Sequence, residues 1–150
     1  MNKQKLQEEL KQSMLSKNEL KTSVLRMLLS AVNYYEIQKG GAGYDATDED
    51  ILSVIQAQAK QRKDSIEQFQ KAGRQELADK ETKELEILNS YLPEQMGEEE
   101  IRSLVKEAVA QTGASGMQDM GKVMAALMPK VKGKADGGLV SSIVKEALSS

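Results

Sequence analysis

Apolar residues recur along this chain of 150 residues at intervals of three and four, the period of helices packed on one another. Leu6, Leu10 and Met14 predict a first helix over about 2–16. A second is expected from about Glu19 to Lys39. Between Val24 and Val32 its apolar residues stand on nearly every side, which predicts a helix in the middle of a bundle. Arg26 interrupts that run and reads as a snorkelling or paired cation. Gly40-Gly-Ala-Gly-Tyr-Asp-Ala46 reads as a flexible connector, and no Lys-Ser/Thr follows it, so it is not a nucleotide-binding glycine loop. Thr47-Asp-Glu-Asp50 has a capping-box pattern with acids in the first turn, opening a third helix whose inner face is Ile51, Ile55, Ala59, Ile66 and Phe69. Ala72-Gly73 ends it. A fourth helix over about 75–91 turns Leu77, Leu85, Leu88 and Leu92 inward.

Pro93 lacks an N–H and biases Leu92 towards an extended backbone, so it marks a boundary. Gly97-Glu-Glu-Glu100 starts a fifth helix that runs to Thr112-Gly113. Ser115-x-x-Gln118 reads as the capping box of a sixth, with a stop at Pro129, and Asp136 as the cap of a last helix through Leu139, Ile143, Val144 and Leu148. The pattern therefore predicts an all-α protein: an N-terminal helical bundle over 1–92, then a small C-terminal three-helix domain over 93–150. Met117, Met120, Met124 and Met128 fall at helical spacing and are expected to fill the core of that domain.

Composition narrows the chemistry. Aromatic residues make up 3% of the chain, with no Trp and Phe69 the single phenylalanine, so the cores are built from aliphatic side chains, Met and Ala. Cys and His are absent, which excludes disulfides, thiol catalysis and ordinary zinc sites; no cofactor or metal is expected. The N-terminus lacks the apolar stretch of about 7–15 residues that marks a secretory signal, and no segment approaches the roughly 18 apolar residues of a membrane span. A cytoplasmic protein that does not enter membranes is the expectation. Ser141 and Ser142 with Lys145 invite comparison with a serine–lysine amidase set. Neighbouring serines on a helix point about 100° apart, so an ordinary polar face is expected and no catalytic residue is assigned.

Charge is uneven within a net of −2. Between Pro93 and Glu107 five acids outnumber Arg102 and Lys106, whereas Met120 to Ala135 holds four lysines and no acid. Lysines and glycines running into a helix start suit an anion such as a phosphate, with a solvated basic connector as the alternative.

Three segments carry a resemblance: Lys60-Gln-Arg-Lys-Asp-Ser-Ile-Glu-Gln-Phe69, Glu84-Leu-Glu-Ile-Leu-x-x-Tyr-Leu-Pro-Glu-Gln95, and Asp119-Met-Gly-Lys-Val-Met through Lys130-Val-Lys-Gly-Lys-Ala-Asp-Gly137. The chain resembles the YqeY family over essentially its whole length. Its C-terminal part is similar to the tail domain of the B subunit of the glutamine-dependent aminoacyl-tRNA amidotransferase. The resemblance implies a helical bundle followed by a small helical domain. It also implies tRNA as partner, with Gly121, Lys122, Lys130, Lys132, Gly133 and Lys134 as the RNA-binding residues. An adaptor that docks on an amidotransferase or synthetase is the alternative. A carbon–nitrogen ligase component using glutamine as amido-N donor is a weaker implication, since no nucleophile–base set is present.

Overall fold

The first three helices begin where a side chain receives N–H groups of the opening turn. In the computed structural model, which describes residues 1–149, α1 spans Lys3–Leu15 and Asn2 Oδ1 accepts from the Lys5 amide at 2.8 Å. Asn18 does the same for α2, Glu19–Gly40, accepting from the Lys21 amide at 3.1 Å. At α3, Asp48–Lys71, the expected capping box is complete: Thr47 Oγ1 accepts from the Asp50 amide and Asp50 Oδ2 from the Thr47 amide. α4 spans Gln75–Asn89. These four helices form one compact unit, Met1–Leu92, and a second unit begins at Pro93. No strand occurs among the described residues, and the protein is all-α.

α2 touches all three of its neighbours in the first unit. Leu6, Val24, Leu25, Leu28, Ile51 and Ile55 are fully enclosed there, each contributing about 1.5–3 kcal/mol on removal from water. α2 is not apolar all round, however: Ser23, Arg26, Met27 and Ser30 are exposed and form a solvent face. The inward stripe of α1 also departs from the expected spacing. After Leu6 it continues through Ser13, whose hydroxyl is satisfied by Leu10 and Thr22, and Met14 is left half exposed. On α4 the inward positions are Ala78, Glu84 and Leu88, and Leu77 is exposed.

Glu84 is buried because it meets Arg62. Nη1 of Arg62 pairs with Glu84 and donates to Glu81 at 2.9 Å, while Nη2 reaches Met27 Sδ at 3.4 Å. Arg62 falls on the i, i+3, i+4 progression of Ile55, Ala59 and Ile66, so a charge occupies an inward helix position.

The glycine-rich segment after α2 is tied down, contrary to the expectation of a flexible connector. Gly41 adopts φ 71° and turns the chain, and Tyr44 folds back so closely that a Cβ on Gly40 would lie 2.7 Å from the Tyr44 Cβ. The Tyr44 hydroxyl donates to Asp50 at 2.6 Å, joined on the same carboxylate by Lys39 at 2.7 Å and Tyr35 at 2.9 Å. Glu36 accepts from the Ala46 amide and from Lys3. Lys39 first, then Tyr44 and the Thr47 amide, hold the Asp50 carboxyl well below the usual carboxylate range.

In the second unit α5 spans Glu98–Thr112, opened by Gly97 without a side-chain bond and closed by Gly113 in the left-handed region at φ 66°. A short 3-10 turn, Met117–Asp119, leads into α6, Met120–Val131. The expected capping box at Ser115 is replaced by its reverse: the Ser115 amide donates to Asp119 Oδ2 at 3.0 Å. α6 also runs through Pro129 instead of stopping there. Proline removes the N–H that would have met the Ala125 carbonyl, but it stands in the last turn, and the Lys132 amide closes that turn on the Met128 carbonyl at 3.0 Å. α7 spans Gly137–Ser149. Ile101, Val105, Val123, Leu127, Val140 and Val144 form the core. Met120 and Met124 pack against it, whereas Met117 and Met128 are exposed.

Two outcomes follow from the polar contacts. Glu84→Ala leaves the buried Arg62 charge with the partly exposed Glu81 alone and lowers stability by about 3 kcal/mol, and Arg62→Leu with Glu84→Leu recovers most of that loss, read by urea denaturation. Asp50→Asn lowers the melting temperature at pH 7 and speeds proteinase K cleavage within 41–46. Because the folded pKa of Asp50 is depressed, its contribution is complete above the unfolded value and fades as pH falls, so the gap between parent and variant narrows below about pH 4.

Candidate nucleic-acid interface

From Val131 to Ala135 exposure alternates. Val131, Gly133 and Ala135 are buried, and Lys132 and Lys134 between them are exposed. Lys130, on the last turn of α6, and Lys122, on its first, are exposed as well. The apolar and small residues anchor the segment to the core while every ammonium group is delivered to solvent. Gly133 permits this at φ 78°, a left-handed conformation that a residue with a side chain adopts only at a cost. Its carbonyl accepts from Gln95 Nε2 at 2.9 Å, and the Lys134 carbonyl accepts from the Met96 amide at 2.8 Å. The segment after Pro93 is thus a clamp on the lysine loop, a role that sequence reasoning missed. The adjacency of Gln95 to Pro93 was its one local signal, since the Gln95 amide also caps the Pro93 carbonyl.

The surrounding charges modify the expected anion site. Asp136 stands at the start of α7 and its Oδ1 faces the Gly138 amide at 3.4 Å. A carboxylate therefore occupies the positive end of that helix, and a phosphate there would meet like charge. The positive charge of this surface lies on the lysine side chains instead. Lys122 lies 3.9 Å from Asp119 and Lys130 3.9 Å from Glu107, long and exposed pairs that contribute little. Arg102 is engaged on both sides, with Glu98 at 2.8 Å and Glu146 at 3.1 Å, which raises its pKa through Glu98 first. Gly121 lies in the first turn of α6 with open space where a Cβ would stand, so internal packing does not require it. Ser141, Ser142 and Lys145 lie on α7, and no hydrogen bond joins their side chains.

The three sequence segments that carry the resemblance are connected by these contacts. Arg62 of the first binds Glu84 of the second, and Gln95 of the second binds Gly133 of the third. A family model described as Yqey-like protein matches residues 3–148. The chain belongs to the YqeY family. Among curated relatives of this YqeY-family protein is the altered inheritance of mitochondria protein 41, mitochondrial, of Pyrenophora tritici-repentis. It is 34% identical over 148 residues, covering 96% of this chain and 79% of the relative. The protein of the same name from Vanderwaltozyma polyspora is 36% identical over 87 residues, 58% of this chain and 46% of the relative, so the match spans about half of that protein. An uncharacterized protein of Schizosaccharomyces pombe is 36% identical over 89 residues, 59% of this chain and 70% of the relative.

These names overturn the expectation of a cytoplasmic protein, because relatives are named as mitochondrial. That expectation rested on a missing secretory signal and a missing apolar span, and neither feature distinguishes the cytosol from an organelle interior: mitochondrial address segments are amphipathic and arginine-rich instead of apolar. No helix among the described residues is long and apolar enough to cross a membrane.

Gly133→Ala tests the loop geometry. It forces a Cβ into the left-handed conformation and lowers stability by about 1–2 kcal/mol in thermal or chemical unfolding.

Proposed function

We propose that this YqeY-family protein is a tRNA-associated accessory protein that holds tRNA phosphates with Lys122, Lys130, Lys132 and Lys134. The observation that carries the reading is the exposure of all four ammonium groups on a backbone clamped by Gln95 and Met96. Fixed cations on a rigid support bind a polyanion with less ordering penalty than cations on a loose tail. Similarity to the tRNA-holding tail of the amidotransferase B subunit directs the reading towards tRNA. Gly121 adds support: a glycine in a helix is less stable than alanine, and the bare backbone at this exposed turn admits close approach of a ligand. With Arg102 committed to Glu98 and Glu146, recognition works through charge and shape, with little reading of bases. No carbon–nitrogen bond-forming step is assigned to the protein.

Binding of tRNA measured across a salt series tests the reading. Four engaged lysines give a log–log slope near about −3, each single Lys→Gln change reduces it by about 0.7–0.9, and the quadruple change removes most of the binding while helicity is unchanged. Gly121→Ala separates binding from folding, because it raises stability by up to about 1 kcal/mol yet weakens tRNA affinity. Undiminished tRNA binding by the quadruple variant would make the lysine segment a solvated connector and leave the adaptor reading in its place.

A further inference from the structure

At the turn between α1 and α2 the surface opens into a hollow of about 620 Å³ lined by Met14, Lys17, Glu19, Thr22, Ser23, Arg26 and Met27. Its apolar part is unusual for an exposed surface: Met14 and Met27 are 50% and 49% exposed, and Leu15, next in the chain, is 76% exposed. Methionine adapts its shape to an incoming apolar surface and is over-used where proteins bind helices. The cations are equally unspent. Lys21 nearby is paired with Glu9 at 3.3 Å, but neither Lys17 nor Arg26 has a carboxylate within ion-pair distance. The polar contact of the Arg26 guanidinium is the thioether of Met14 at 3.9 Å, a weak acceptor for a group with five donors. Glu19 puts one negative charge in the lining, where it also compensates the positive end of α2. Lys17 is the sole described residue other than glycine with positive φ, at 57°, in a position after a helix where glycine or asparagine is the ordinary choice. A lysine therefore stands there against its backbone preference.

We propose that this hollow docks an acidic, amphipathic helical segment of a partner protein, with apolar side chains on Met14 and Met27 and carboxylates on Lys17 and Arg26. Charge complementarity selects the occupant: the lining carries two cations without a carboxylate partner against the one acid, Glu19, and with the methionines asks for acids beside leucine-like residues. The lining on α2 runs from Glu19 to Met27, about 12 Å at 1.5 Å per residue, and matches two turns of a bound helix. The site lies in the N-terminal unit and is independent of the lysine loop, so it stands whether or not tRNA binds the C-terminal unit.

The probe is a synthetic amphipathic peptide of about 16 residues with leucines on one face and glutamates beside them, titrated into the full chain labelled with carbon-13 at its methionine methyls. The expected result is a saturable shift of the Met14 and Met27 signals, with Met117, Met120, Met124 and Met128 unmoved. Lys17→Glu with Arg26→Glu should weaken binding at least about tenfold. Lys17→Gly should raise the melting temperature by about 2–4 °C while it weakens the peptide, a pairing that a purely structural lysine would not give. The proposal is overturned if the same peptide with lysines in place of glutamates binds equally well, or if no shift reaches Met14 and Met27. It also fails if vesicles of phosphatidylglycerol perturb those methyls and the acidic peptide does not, since the surface would then face a membrane.

Discussion

An arginine enclosed between α3 and α4 organises the N-terminal unit. With few aromatic residues to give a core its bulk and orientation, the helices are built largely from aliphatic side chains, which pack in many arrangements of similar energy. The Arg62 guanidinium, buried with Glu84 and reaching Glu81 and Met27, admits far fewer arrangements, because a misplaced register would leave a charge in an apolar environment. Asp50 works in the same way at the other end of α3, where it gathers Tyr35, Lys39, Tyr44 and the Thr47 amide. The greasy interface supplies the driving force, and these directional contacts specify where the helices stop sliding.

Much of this was legible in the sequence. Helix limits at Thr47, Ala72-Gly73 and Gly113 follow from caps and breakers whose effect is local, and the turns they mark are within a residue or two of the observed ones. The misreadings arise where a distant partner, or a place in a terminal turn, decides the outcome. Gly40 to Ala46 looks loose until Asp50 and Glu36 close on it. Leu77 lies on the same side of α4 as Glu84 and Leu88, seven and eleven residues on, but it stands in the first turn of the helix and is left exposed. Pro129 looks like a stop because its missing N–H is local, but its place in the final turn limits the damage to one carbonyl. At the candidate interface the lysines could be read from composition. The carboxylate of Asp136 at the head of α7 is a local cap and could be read too, whereas the clamp by Gln95 and Met96 could not, since it depends on how the chain returns on itself.

The two surfaces discussed above use the same kind of charge in different settings. On α6 and the loop after it, lysines stand on a polar exterior with glycines nearby, a surface suited to a flexible polyanion and to exchange of bound ions. At the α1–α2 turn, cations border methionines, a surface suited to a partner with its own apolar ridge. They lie in separate units of the chain, joined through Leu92 and Pro93.

The alternation of buried and exposed positions from Val131 to Ala135 separates two kinds of inheritance. Residues 131, 133 and 135 answer to the core, and a change there is judged by whether the unit folds. Residues 132 and 134 are exposed, and a change there acts chiefly on the field presented outside. The charge of this surface can therefore be altered lysine by lysine while the buried positions that carry the scaffold are left in place.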